Sequence, residues 1–144
     1  MTNYELLDIV CDAVNPILFL LSIFLCAVFI YKKKYRKAGL LLGLLTAGML
    51  FVYGVLFADN RLKIWHSISS DYSTHTAFAI AACISISAVK NWPRILVCIF
   101  CFYGAAILYQ QYHSLLDVLS TSFVIGLPLL YLRAITLQKY ILKP

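Results

Sequence analysis

Residues 38–58 read AGLLLGLLTAGMLFVYGVLFA, a stretch without one charged side chain. A helix needs about 20 mostly apolar residues to cross the hydrocarbon core of a bilayer, and this stretch has that length and character by itself. Lys37 bounds it on one side and Asp59 on the other. Working outward, four more uncharged runs follow the same pattern: 13–31, 72–89, 95–116 and 118–132. The 144-residue chain is 62% hydrophobic and 12% charged, with a mean hydropathy of +0.87. A soluble domain carries about a quarter charged residues. The composition excludes a soluble globular protein, a disordered tail and a nucleic-acid-binding domain, despite the net charge of +6. The chain reads as an all-α integral membrane protein, with one helical domain over residues 1–144.

The signs of the charges set an expected orientation. Ten of the twelve Lys and Arg residues fall at three places: Lys32, Lys33, Lys34, Arg36 and Lys37; Lys90 and Arg94; and Arg133, Lys139 and Lys143. Short cationic loops are retained on the cytoplasmic side during insertion. Arg61 and Lys63 fall on the other side, with all six acids (Glu5, Asp8, Asp12, Asp59, Asp71 and Asp117). Five transmembrane helices, N-terminus out and C-terminus in, satisfy every cluster. Within Tyr4–Val14 the acids recur at helical spacing, which predicts an additional N-terminal amphipathic helix at the outer interface. No cationic region precedes an apolar core, so no cleaved signal peptide is expected. Tyr31–Lys37 reads first as a topology signal, with contact to anionic head groups as the alternative. Gly39, Gly43 and Gly48 let helices pack closely in the second run, Pro128 interrupts the fifth, and Asn91-Trp92-Pro93 makes a short turn.

Polar groups are costly in a membrane, so their distribution is informative. All three histidines fall on the side opposite the basic clusters: His66, His75 and His113. Asp71-Tyr72-Ser73-Thr74-His75-Thr76 leads straight into the apolar 77–86. A Ser or Asp there is an N-cap signal, and the helix opens with backbone N–H groups that favour an anion. An ordinary capped helix with an interfacial His75 is the alternative. In His113-Ser-Leu-Leu-Asp117 the i,i+4 spacing puts the carboxylate within reach of one ring nitrogen if both residues share a helix face. Asp117 would then fix the tautomer of His113. Because 118–132 is too short to cross alone, its helix is expected to start near His113 and to include this pair. A polar helix end at the head-group level is the competing reading. Together the two groups supply a nucleophile with an orienting acid and a second histidine, the inventory for two-step phosphoryl transfer.

Other chemistry fits less well. The outer histidines with Asp71 or Asp117 lack the tight His/Cys spacing of a zinc site, so no metal is expected. Cys98-x-x-Cys101 lies within a span and has no second pair in the outer loop. No span carries a mid-membrane acid of the kind a transporter needs.

On these residues the chain resembles the type 2 phosphatidic acid phosphatase superfamily, whose motifs are K-x6-R-P, P-S-G-H and S-R-x5-H-x3-D. Ser73 and His75 match the second motif, and His113 and Asp117 match the end of the third. Ser73-Thr74-His75-Thr76 and His113-x3-Asp117-Val118 also resemble the sphingomyelin-synthase-like lipid phosphotransferases. Departures are clear: Gly54 stands where the first-motif Lys would be, Leu62 follows Arg61 in place of Pro, and Ile107 replaces the third-motif Arg. In the second motif, Tyr72 replaces Pro and Thr74 replaces Gly.

The resemblance implies that His113 attacks phosphorus, Asp117 orients it, and His75 acts as acid and then base. Ser73 and Thr74 would bind phosphoryl oxygens, Arg61 and Lys63 would compensate for the missing cations, and His66 is a helper or a solvated loop residue. No cofactor is implied. The partners are membrane lipids, with a phosphate- or diphosphate-bearing lipid as substrate at the outer leaflet. A bacterial inner membrane with a periplasmic site fits. The alternative is a catalytically lapsed relative that binds lipid or scaffolds a complex, which the missing motif cations favour.

Overall fold

The computed structural model describes residues 3–90 and 92–142, with side chains for 8–90 and 92–140. The side chain of Glu5, and Asn91 and Lys143 entirely, lie outside the described residues. The described residues form five α-helices: α1 (Asn3–Tyr31), α2 (Tyr35–Leu62), α3 (Thr74–Val89), α4 (Pro93–Tyr109) and α5 (Leu115–Leu142). A 3-10 turn, His66–Ile68, interrupts the α2–α3 loop. Each helix grows from one of the uncharged runs. α1, α2 and α5 are long and apolar enough to cross a membrane. α3 and α4 are equally apolar but have 16 and 17 residues, about 24–26 Å at 1.5 Å per residue against a core of about 30 Å.

The ends of the helices follow local chemistry. α2 stops at Lys63, whose backbone turns left-handed (φ 54°) so that its N–H donates to the Asp59 carbonyl at 2.7 Å. Ser73 caps α3. α4 opens on Pro93, which lacks an N–H at a position where none has a helical partner.

The expected separate interfacial helix is not formed. α1 runs unbroken from Asn3 through Pro16 to Tyr31, and the Tyr4–Val14 segment is its first part. Two of its polar side chains turn toward the bundle: Asp8 accepts from Gln110 Nε2 at 3.4 Å, and Asn15 Nδ2 donates to the His75 carbonyl at 3.3 Å. Those partners hold the segment on the axis of the helix that follows, and Pro16 alone does not break a helix packed in this way.

α3 is the central helix and packs against the other four, most extensively against α2 and α5. It is apolar all round, as a fully surrounded helix must be, and half of its buried side chains are small: Ala77, Ala79, Ala81, Ala82 and Ser85. Of the four glycines in α2 only Gly48 makes a close approach, since a Cβ there would lie 3.1 Å from Ala81 Cβ. Gly39, Gly43 and Gly54 face open space. The outer surface carries large apolar side chains, among them Leu50 at 72% and Phe102 at 76% exposure. Such a belt is unfavourable in water and favourable in lipid. Buried hydroxyls of Ser22 and Ser85 donate to the carbonyls one turn back, so these helices carry polar side chains without leaving them unpaired.

Candidate functional site at the α2–α3 and α4–α5 connections

α5 opens with a reciprocal cap. Ser114 Oγ accepts from the Asp117 N–H at 3.2 Å, and Asp117 Oδ2 accepts from the Ser114 N–H at 2.7 Å. Each side chain thus satisfies a backbone donor that a helix start leaves open. This cap corrects the expected start of the fifth helix. His113 precedes the cap and lies off the helix, so the pair is not an i,i+4 pair on one helical face. The contact nevertheless forms, with His113 Nδ1 3.5 Å from Asp117 Oδ2.

Asp117 is also the anchor for the α2–α3 loop. Its Oδ1 accepts from Ser70 Oγ at 2.5 Å and from the Asp71 N–H at 2.8 Å. The carboxylate is buried, and charge-assisted bonds from several donors offset its desolvation. The positive end of the α5 dipole favours the charge further. Beside it, buried Trp65 donates from Nε1 to Ser120 Oγ at 2.8 Å, and its backbone N–H donates to Asp59 Oδ1 at 2.9 Å. Tyr72 meets Trp65 edge-on at 5.0 Å between centroids and donates to the Val52 carbonyl at 3.0 Å. Burial, and then the Asp59 carboxylate, push this loop phenol above its usual range, which keeps it a donor. The Ser73 N–H donates to Thr121 Oγ1 at 3.1 Å. The loop is therefore clasped onto the first two turns of α5.

His75 sits in the first turn of α3 and faces α1 and α4. Its Nδ1 is 3.2 Å from Tyr103 Oη, and its ring stacks on Tyr112 with centroids 6.4 Å apart and planes 4° from parallel. Tyr112 immediately precedes His113, so the two histidines are joined through one aromatic side chain and its neighbour. Ser73 is fully buried, donating to Thr76 Oγ1 at 2.8 Å and accepting from the Thr76 N–H at 3.3 Å. Its hydroxyl is committed to the cap. Thr74 follows as the first helical residue, half-buried.

Folding thus brings His113, Asp117, Ser70 and the 71–73 segment together and places His75 beside Tyr112. It does not bring the expected cations in. Arg61 is exposed with its guanidinium 5.4 Å from the Phe57 ring centroid. Lys63 is exposed at the end of α2, and His66 is exposed in the 3-10 turn. Among the described residues, none of the hydrogen bonds, ion pairs or ring contacts joins any of the three to His75 or His113. Nor do three His, Cys, Asp or Glu side chains gather there in a way that would hold a metal ion.

No protein-family model matches this chain, and no curated protein or solved structure matches it either. Its chemistry therefore has to be read from its own geometry. A ring nitrogen oriented by a fixed carboxylate is suited to nucleophilic attack or proton transfer. Several contributors escaped the reading of the sequence: Ser70, Ser114, Thr121, Tyr103, Tyr112 and Asn15. Ser114 had a local signal, because Ser-x-x-Asp ahead of an apolar run is a capping-box pattern. Asn15 had one too, as a polar residue inside an apolar run. The others are placed by packing between helices distant in sequence.

Proposed function

We propose that the protein is a five-span membrane phosphatase or phosphotransferase, N-out and C-in, acting on a lipid that bears a phosphate or diphosphate at the outer leaflet. A bacterial inner membrane, with the site toward the periplasm, is the setting that fits. The observation that carries this reading is the His113–Asp117 contact at 3.5 Å, with Asp117 held by three further donors. Because His113 Nδ1 faces the carboxylate, Nε2 is the nucleophile. It attacks phosphorus, the lipid oxygen leaves with a proton from His75, and a phosphohistidine forms. His75, now neutral, takes a proton from water or an acceptor alcohol, which attacks phosphorus and frees His113. Open N–H groups at the start of α3 stabilise the equatorial oxygens. Arg61 and Lys63, both exposed, draw the anionic head group toward this end.

A second reading is a lapsed relative that binds lipid or scaffolds a complex. It is favoured by the full burial of Ser73 and by the use of Asp117 as a loop anchor. Phosphate release from phosphatidic acid and prenyl diphosphates by the detergent-purified chain separates the two. The enzyme reading expects turnover by the wild type, reduced about 100-fold or more in His113→Ala and in His75→Ala. Equal inactivity of wild type and His113→Ala on every substrate leaves the second reading standing.

A further inference from the structure

At the basic end of the bundle, away from the His113 site, the packing leaves a cleft. α4 rests on α1 and α3 and stands largely apart from α5. A cavity of about 340 Å³ opens between α4 and α5 with α3 as its floor, a size in the range of ligand sites, about 300–1,000 Å³. Most of its wall is apolar, including Ile84, Leu96, Phe100 and Leu130. Among the described residues that line the cleft, Arg133 is the charged one and none is a carboxylate. Arg133 Nη2 donates to the Ser87 carbonyl at 3.2 Å. Its Nε is buried and has no hydrogen-bond partner among the described residues. The residue as a whole is half-buried, and a cation beside an apolar wall favours an anionic partner. Pro93 extends the wall into a neighbouring surface hollow that also holds Trp92 and Arg94.

We propose that this cleft holds an acyl chain of one anionic phospholipid, whose phosphate sits on the Arg133 guanidinium. The apolar wall matches the chain, and the planar guanidinium fork matches phosphate oxygens. Arg94 at the neighbouring rim adds positive charge and selects a net anionic head group. The site lies at the end of the bundle where the Lys and Arg clusters gather, so it draws from the leaflet that meets that end. It is independent of the phosphoryl-transfer reading.

Native mass spectrometry of the detergent-purified full chain, given equal amounts of phosphatidylglycerol and phosphatidylcholine of one chain length, tests this. The wild type is expected to retain one phosphatidylglycerol, favoured about tenfold over phosphatidylcholine, whose phosphate is the same but whose choline charge meets the cations at the rim. Arg133→Gln is expected to lower retention of both lipids, because both present the phosphate, and Arg94→Gln to erase the preference. Gly126→Leu keeps Arg133 but fills the cleft, and is expected to reduce retention of both lipids; a Cβ at that position meets only Ile80 at 3.9 Å. Glycerophosphate alone is expected to give no adduct. Equal retention of the two lipids by the wild type overturns the proposal, whether or not the variants fold. So does a preference that survives Arg94→Gln, retention of both lipids unchanged in Arg133→Gln, an adduct with free glycerophosphate, or a lipid-free dimer that Gly126→Leu dissolves. His113-dependent phosphate release is read separately and is unaffected by any of these outcomes.

Discussion

Asp117 combines two jobs in one carboxylate, and single substitutions separate them. Ser114→Ala removes the hydroxyl that caps α5 and is expected to cost about 1 kcal/mol. Ser70→Ala removes the 2.5 Å donor to Oδ1 and is expected to cost about 1.5–3 kcal/mol, as for other hydrogen bonds to charged groups. Both are read as lowered thermal unfolding midpoints in detergent. His113→Ala is expected to behave oppositely, abolishing phosphate release while leaving the midpoint near wild type, because the Ser70, Asp71 and Ser114 donors to Asp117 persist. A midpoint that falls as far as in Ser70→Ala makes His113 a structural partner of Asp117 instead. The pairing of these two residues was legible from their spacing, but the reason for it was not. A start of α5 near His113 was the sequence expectation; Ser114 takes the cap, since Ser-Leu-Leu-Asp satisfies two backbone donors at once, and the histidine is left outside.

At the scale of elements, α3 shows how little side chain a central helix needs. Its alanines let four neighbours approach, and Gly48 of α2 comes close to Ala81. Gly48→Val is expected to destabilise by about 1–3 kcal/mol through overpacking. Gly39→Ala and Gly43→Ala meet nothing within 4 Å and are expected to be neutral or to stabilise by up to about 1 kcal/mol, because helical glycine is entropically unfavourable. Equal midpoints for Gly48→Val and Gly43→Ala, measured in one detergent, contradict the close α2–α3 approach. Sequence alone treated the three glycines alike, since helical spacing says which residues are small and not which of them faces a neighbour. The same limit explains α1. The acids of its first turns do recur at helical spacing, but Asp8 and Asn15 find partners on α4 and α3, and the segment continues as one helix.

For the whole molecule, four helices wrap α3 and turn Leu50, Phe102 and Phe123 outward. With the proposed orientation, a Ser67→Cys variant presents its thiol outside, because Ser67 is exposed in the α2–α3 loop. A membrane-impermeant thiol reagent is expected to label it in intact cells beyond the background of the wild-type chain, and a fluorescent protein fused to the C-terminus is expected to fold and emit. Labelling only after lysis would reverse the orientation. The sequence by itself determined the helical class, the five apolar runs from which the helices grow, and the α3 cap at Ser73. Those features rest on local sums: the apolar content of one run, the hydroxyl ahead of one helix. Only the tertiary structure decided which polar groups meet. Ser70 reaches Asp117 across 47 residues and Trp65 reaches Ser120 across 55, and such contacts exist only because packing around α3 brings the first turn of α5 beneath a loop that α2 delivers.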